Sequence, residues 1–245
     1  MELNKKEMSA LINRIFAKNN LSGMLSAKKS EDLITLTEHM LTENEKYNLT
    51  AITEPEKIIL NHYADCATLA SELPRGAKII DVGCGAGFPT LPVAILRPDV
   101  TILALDATAK RTAYVAGAAS LLGLGNVTVI TARAEDAARL AEYREKFDFA
   151  TARAVAEMRI LAELCLPFVK LGGKMIAMKG KNAEFELSSA KRAIATLGGR
   201  ATFVKTVTLL GDGEELSHPL IFVEKTTRTP DKYPRPYAQI SKKPL

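Results

Sequence analysis

The chain has 245 residues, 47% apolar and 25% charged, which suits one large α/β domain with an extension. No apolar run approaches the length of a membrane span, and Met1-Glu2-Leu3-Asn4-Lys5-Lys6 leads into an amphipathic helix rather than a signal peptide. Cys66, Cys84 and Cys165 show neither pairing nor metal spacing, so we expect a cytoplasmic protein with no metal site and no membrane anchor.

The first seventy residues read as helical. Met8, Leu11, Ile12, Ile15 and Phe16 share one helical face, as do Leu33, Thr37, Met40 and Leu41. Thr53-Glu54-Pro55-Glu56 fits a capping box with proline in the first turn of a third helix. From Lys78 strands and helices alternate. Strands are expected near 78–82, 101–106, 126–131, 147–152 and 173–179. Helices are expected near 89–97, 108–122, 134–143, 156–168 and 183–197. Two β-rich runs, Thr202–Leu209 and Pro219–Lys225, close the domain without a helix between them. Five βα units followed by two strands predict a mostly parallel seven-stranded, Rossmann-like sheet of the class I methyltransferase layout. The expected divisions are a helical extension over 1–72, a catalytic domain over 73–225 and a basic tail over 226–245.

The densest chemistry lies in Lys78-Ile79-Ile80-Asp81-Val82-Gly83-Cys84-Gly85-Ala86-Gly87-Phe88-Pro89. Gly83, Gly85 and Gly87 let a sharp turn bring the backbone against a ligand. Their spacing is Gly-x-Gly-x-Gly, not the Gly-x-Gly-x-x-Gly of dinucleotide binders. With Asp81 before them, this favours S-adenosylmethionine (SAM) over NAD, which stays as the rival cofactor of an oxidoreductase. Asp106 ends the second strand, where a carboxylate can hold ribose hydroxyls or cap a helix. Ala134 and Glu135 follow the third strand, where they can read the edge of an adenine ring or favour the next helix start. Phe88 packs against a cofactor or staples its helix to the sheet. Arg153 ends the fourth strand, where it can bind an anionic group or form a salt bridge.

Several absences narrow the acceptor. The fourth strand lacks the Asn/Asp-Pro-Pro-aromatic cluster common in enzymes that methylate exocyclic amino groups. No cysteine stands where C5-methylation of a pyrimidine needs a nucleophile; Cys84 and Cys165 read as small buried residues. A ring nitrogen such as guanine N7 carries a lone pair and no proton, so it needs neither device. No general base is then expected, only orientation, with Arg153 the candidate for it. N7 is unreachable in an A-form helix, so the guanine must be unpaired or extruded. Candidate RNA contacts are Lys179 and Lys181 after the fifth strand and Arg228, Lys232 and Arg235 in the tail. From residue 226 onward five cations face one acid, which accounts for four of the net charge of +5. A non-catalytic SAM- or RNA-binding protein is the second rival.

Taken in order, these segments resemble the RsmG (GidB) family, which methylates guanine N7 in bacterial small-subunit (16S) ribosomal RNA. The resemblance runs from Tyr47-Asn48-Leu49-Thr50-Ala51-Ile52 through His62-Tyr63-Ala64-Asp65, the glycine loop and Asp106 with Lys110-Arg111. It continues through Ala132-Arg133-Ala134-Glu135, Ala152-Arg153-Ala154, Met178-Lys179-Gly180-Lys181 and Thr229-Pro230-Asp231-Lys232-Tyr233-Pro234-Arg235. It implies SAM contacts at Gly83, Phe88, Ala134, Glu135 and Arg153, and 16S RNA or a small-subunit particle as partner; a monomer is the default expectation. Two departures stand out. Thr90 replaces a glycine, and Ser217-His218 replaces an Arg-His pair.

Overall fold

The computed structural model describes residues 4–245. α1 (Lys5–Lys18) and α2 (Ala27–Tyr47) start at Asn4 and Ser26, whose side chains accept the N–H groups of Lys6 and Lys29. α2 ends at Asn48, which adopts the left-handed conformation that asparagine tolerates well. α3 (Pro55–Ile58) passes through a π-helical turn (Ile59–Ala64) into α4 (Asp65–Ser71). The expected capping box is not formed. Glu54 is the cap, without a side-chain bond to the helix, and Glu56 instead accepts the N–H of Asp212.

The strands are β1 (Lys78–Val82), β2 (Thr101–Asp106), β3 (Val127–Thr131), β4 (Phe147–Arg153), β5 (Val169–Met178), β6 (Gly199–Leu210) and β7 (Glu215–Lys225). They form one sheet in the order β3-β2-β1-β4-β5-β7-β6. β7 runs antiparallel to both neighbours and every other pair is parallel. Because β1 lies between β2 and β4, successive crossovers diverge there and open a crevice at the carboxyl ends of the strands. The helices between strands are α5 (Thr90–Leu96), α6 (Ala109–Leu121), α7 (Ala134–Ala137), α8 (Met158–Cys165) and α9 (Ala183–Thr196).

The two faces of the sheet are apolar in alternation, as the pleat requires. Ile79, Ile102, Phe149 and Ile176 join one core with Ile12, Phe16, Leu33 and Tyr63 of the extension. Ile80, Leu103, Ala150 and Met175 join the other, beneath α8 and α9. The extension therefore serves as one layer of the sheet's own core. Phe16 is fully buried in it, so truncation to alanine would cost about 3–5 kcal/mol.

Two elements differ from their sequence patterns. β5 begins at Val169, earlier than expected, because Lys170–Gly173 bulge out between its pairings with Phe147 and Phe149. There Gly172 is left-handed, and a Cβ on Gly173 would lie 2.6 Å from the Asp148 carbonyl. The helix expected over 134–143 stops at Ala137. Leu140 is left half exposed, and Arg139 and Arg144 reach for carbonyls of the tail.

Candidate active site

The crevice above β1 is a cleft of about 610 Å³, large enough for a nucleoside-sized ligand. Its floor is the turn after β1, where Gly83, Gly85 and Gly87 all have positive φ. A Cβ on Gly83 would sit 2.7 Å from Val155, which closes over the turn from the β4 side. Gly83 and Gly85 line the cleft, but Gly87 does not. A Cβ there would strike Leu91 of α5, so Gly87 serves the packing of helix on sheet rather than the ligand.

Asp106 holds the turn. Its Oδ2 accepts the N–H of Gly85 at 3.0 Å and its Oδ1 accepts that of Thr108 at 2.8 Å. The cap of α6 is Thr108, so Asp106 is not the helix cap. A carboxylate has about four lone-pair sites, so two stay available on the cleft wall for hydroxyl donors.

The start of α5 decides what kind of ligand fits. A dinucleotide needs free helix N–H groups for its pyrophosphate. Here Pro89 and Pro92 have none, the N–H of Leu91 goes to Gly87 and that of Val93 to Pro89. The N–H and hydroxyl of Thr90 both go to Asp81, the hydroxyl at 2.6 Å. Burial pushes the Asp81 carboxyl up to about 6. Asp81 and Thr90 thus brace the helix start from behind. The cleft offers hydroxyl acceptors beside a helix start whose N–H groups are engaged, which suits a nucleoside without phosphates better than NAD.

At the β3 end, Ala134 and Glu135 line the cleft and also open the single turn of α7. Arg133 lies 3.6 Å from the Glu135 carboxylate and stays exposed. At the β4 end the side chains are buried and mutually bonded. Arg153 donates to the Asn61 carbonyl at 2.8 Å, to Asp65 Oδ2 at 2.9 Å and to His62 Nδ1 at 2.9 Å. His218 Nε2 lies 2.6 Å from Asp65 Oδ1, without the alignment of a hydrogen bond. Burial, then the Arg153 guanidinium, holds His62 down at about 4. The ring is therefore neutral near pH 7, and its free N–H faces Thr50 Oγ1 at 3.3 Å. Phe88 stacks on His62 with ring centroids 4.2 Å apart, and Arg153 lies over its ring at 5.3 Å. Phe88 thus lines the cleft and staples α5 to the π-helical turn. Ala154, the next residue after Arg153, holds a left-handed conformation that carries the chain back across the glycine turn.

The basic residues separate into free and engaged. Lys179 is corrected from an RNA contact to a structural one: it bonds the Ala156 carbonyl at 2.7 Å and Glu186 at 2.6 Å. Arg235 is corrected likewise, since it clasps the fully buried Glu163. Arg228 pairs with Glu145 beside the amino ends of β4 and β5, the edge opposite the cleft. Lys181 and Lys232 are exposed. Lys110 and Arg111, which sequence reasoning tied only to the Asp106 motif, stand exposed on the cleft rim.

The family model for rRNA small subunit methyltransferase G (GidB) matches residues 29–212. A Clostridium perfringens protein named "Ribosomal RNA small subunit methyltransferase G" is 48% identical over 204 residues, covering 82% of this chain and 84% of its own. A Lactobacillus delbrueckii protein of the same name is 42% identical over 225 residues, covering 90% and 93%. The chain belongs to the rRNA small subunit methyltransferase G family. Solved structures give the same fold at low identity. A SAM-dependent O-methyltransferase from Thermotoga maritima superposes with a TM-score of 0.53 at 15% identity, covering 78% of this chain and 72% of that one. The M. jannaschii TYW2 structure in complex with AdoMet does so at 0.53 and 16%, covering 66% and 75%. The expected class I methyltransferase sheet with a helical extension is borne out. Among the described residues no helix is long and apolar enough to cross a membrane.

The sequence reading did not place two residues that the structure brings to this site. His218 joins Asp65 from β7, 153 residues away in the chain, and no local pattern announces such a contact. Tyr237 enters the cleft from the tail. Its signal was available: Tyr233, Tyr237 and Ile240 fall at helical spacing in a segment read above only as a basic tail.

Proposed function

We propose that this chain transfers a methyl group from SAM to N7 of one unpaired guanine in 16S ribosomal RNA, leaving S-adenosylhomocysteine. Membership of the family supports the RNA and the donor. The observation that carries the donor reading in this chain is the spent start of α5 beside the spare acceptor sites of Asp106. Bound SAM supplies the sulfonium methyl. The protein's part is placement. Gly83 and Gly85 admit the ligand to backbone contact, Asp106 takes the ribose hydroxyls, and Ala134 with Glu135 meets the adenine. Arg153 and Phe88, fixed by Asp65 and His62, shape the end where the acceptor enters.

No proton is removed from the reacting nitrogen, so alignment and field suffice. Lys110 and Lys181 are the exposed cations best placed to hold RNA phosphates near the cleft, with Lys232 further along the tail; Arg111 stands on the same rim, 3.8 Å from the Asp106 carboxylate. The extension over 1–72 and the tail over 226–245 belong to one folding unit with the domain between them. We take the protein as a cytoplasmic monomer: its three cysteines are free and buried, and one chain supplies every wall of the cleft.

The test pairs binding with transfer. Calorimetry is expected to show SAM binding and no NAD binding. Labelled methyl is expected to pass to ribosomal RNA from cells lacking this modification. Binding without transfer to any small-subunit RNA or particle would reduce the protein to an accessory role.

A further inference from the structure

The basic tail is not an arm. It is a strap nailed to the body at several points. Lys225, fully buried, bonds the Leu166 carbonyl and Thr229. Arg144 donates to the carbonyls of Thr229 and Tyr233 at 2.9 Å each, and Arg139 to that of Pro234 at 2.6 Å. Arg235 then clasps Glu163 through side chain and backbone, and Ile240 of α10 (Tyr237–Lys242) is fully buried. Between those last two anchors stands Tyr237.

Tyr237 is the exception in this strap. Its neighbours Tyr233 and Ile240 are buried, yet Tyr237 is 39% exposed and lines the cleft beside Ala134 and Glu135. Arg133 lies over its ring, 5.7 Å from the centroid. A half-open aromatic face, held on both sides by buried anchors, has little conformational freedom left to lose when a flat ring stacks on it.

We propose that Tyr237 is a donor-binding residue: the C-terminal strap delivers it to the β3 end of the cleft, where its ring packs against the adenine of SAM and Arg133 steadies it. This rests on the donor reading above and extends it to a residue outside the methyltransferase core. It also explains why the body commits Arg139 and Arg144 to carbonyls of the strap, and why the strap commits Arg235 to a buried acid. Their task is to place an aromatic ring, and RNA contact is left to other residues.

The chain contains no tryptophan, which makes the test direct. Tyr237→Trp introduces the single indole, and titration with S-adenosylhomocysteine is expected to quench its fluorescence saturably at a Kd close to that of the unaltered protein. Tyr237→Ala is expected to weaken SAM binding about ten-fold by calorimetry, as loss of one aromatic stacking partner does, and Tyr237→Phe to restore it. Circular dichroism of each variant, with Tm, checks that the strap is still docked. If the unaltered protein binds no SAM, the donor reading itself fails. If it binds SAM while Tyr237→Ala binds equally well and the Tyr237→Trp signal ignores ligand, the donor reading stands and this inference is overturned.

Discussion

The two ends of the cleft are built on opposite plans. At the β4 end Asp65, His62 and Phe88 are buried and Arg153 is largely covered, and each is held by another member of the set. At the β3 end Arg133 and Tyr237 are exposed, with Arg133 over the Tyr237 ring and 3.6 Å from Glu135. The first end has its geometry before any ligand arrives. The second is an open frame that a ligand completes. The difference fits the chemistry: the transferred methyl must meet a nitrogen lone pair in one alignment, whereas a flat ring needs only a surface to lie on.

Filling the floor that both ends share should have the largest effect. Gly83→Asp places a charged side chain at φ 78°, against Val155, and is expected to abolish SAM binding in calorimetry; unchanged affinity would refute the glycine turn as the donor's seat. Next comes the contrast between the ends. Asp65→Ala strands the Arg153 guanidinium and is expected to destabilise the fold by about 3 kcal/mol or more in denaturant titration. Arg133→Ala should stay within about 0.5 kcal/mol, because the guanidinium itself is exposed and reaches Glu135 only at 3.6 Å. Equal losses at the two sites would erase the distinction.

A pH titration of stability sharpens the same point on the braced side. Asp81 is pushed up to about 6, so its contribution is full below its unfolded value and is lost as pH rises through 6. His62 is held down at about 4, so its contribution is present above its unfolded value and is lost as pH falls through 4. Between pH 4 and 6 the two oppose each other. Asp81→Asn should therefore leave stability rising with pH across that window, and His62→Gln should leave it falling, each by at most about 1.4 kcal/mol per pH unit. Profiles that move together in both variants would contradict the assignment. The smallest effect belongs to the rim. Lys110→Ala should lower the salt dependence of RNA binding by about one phosphate contact, and Arg228→Ala, on the far edge, should leave it unchanged.

Local order explains what could be read from the sequence alone. β1 and β2 stand at 78–82 and 101–106 as the apolar runs indicate, and the glycine turn sits between them and their helices. Gly83, Asp106 and Ala134-Glu135 could be placed because each follows directly on a strand that feeds the crevice. Arg153 could be placed too, but not its partners, since Asp65 and His62 reach it from an element about ninety residues earlier, and His218 meets that Asp65 from β7. Arg235 misled because a cation's sequence neighbours do not reveal a buried acid such as Glu163, 72 residues earlier in the chain, and Lys179 because its partners, the Ala156 carbonyl and Glu186, are set by how β5 meets α9. The tail was judged by its charge, whereas its tyrosines and Ile240 decide its course.

The most direct measurement of the central claim replaces one atom. Small-subunit RNA transcribed with 7-deazaguanosine in place of guanosine keeps its pairing but carries a C–H where N7 was. Incubated with the protein and labelled SAM, normal RNA is predicted to gain one 7-methylguanosine and the substituted RNA to gain no label. Methyl transfer that persists on the substituted RNA would show that the cleft delivers its methyl to another atom.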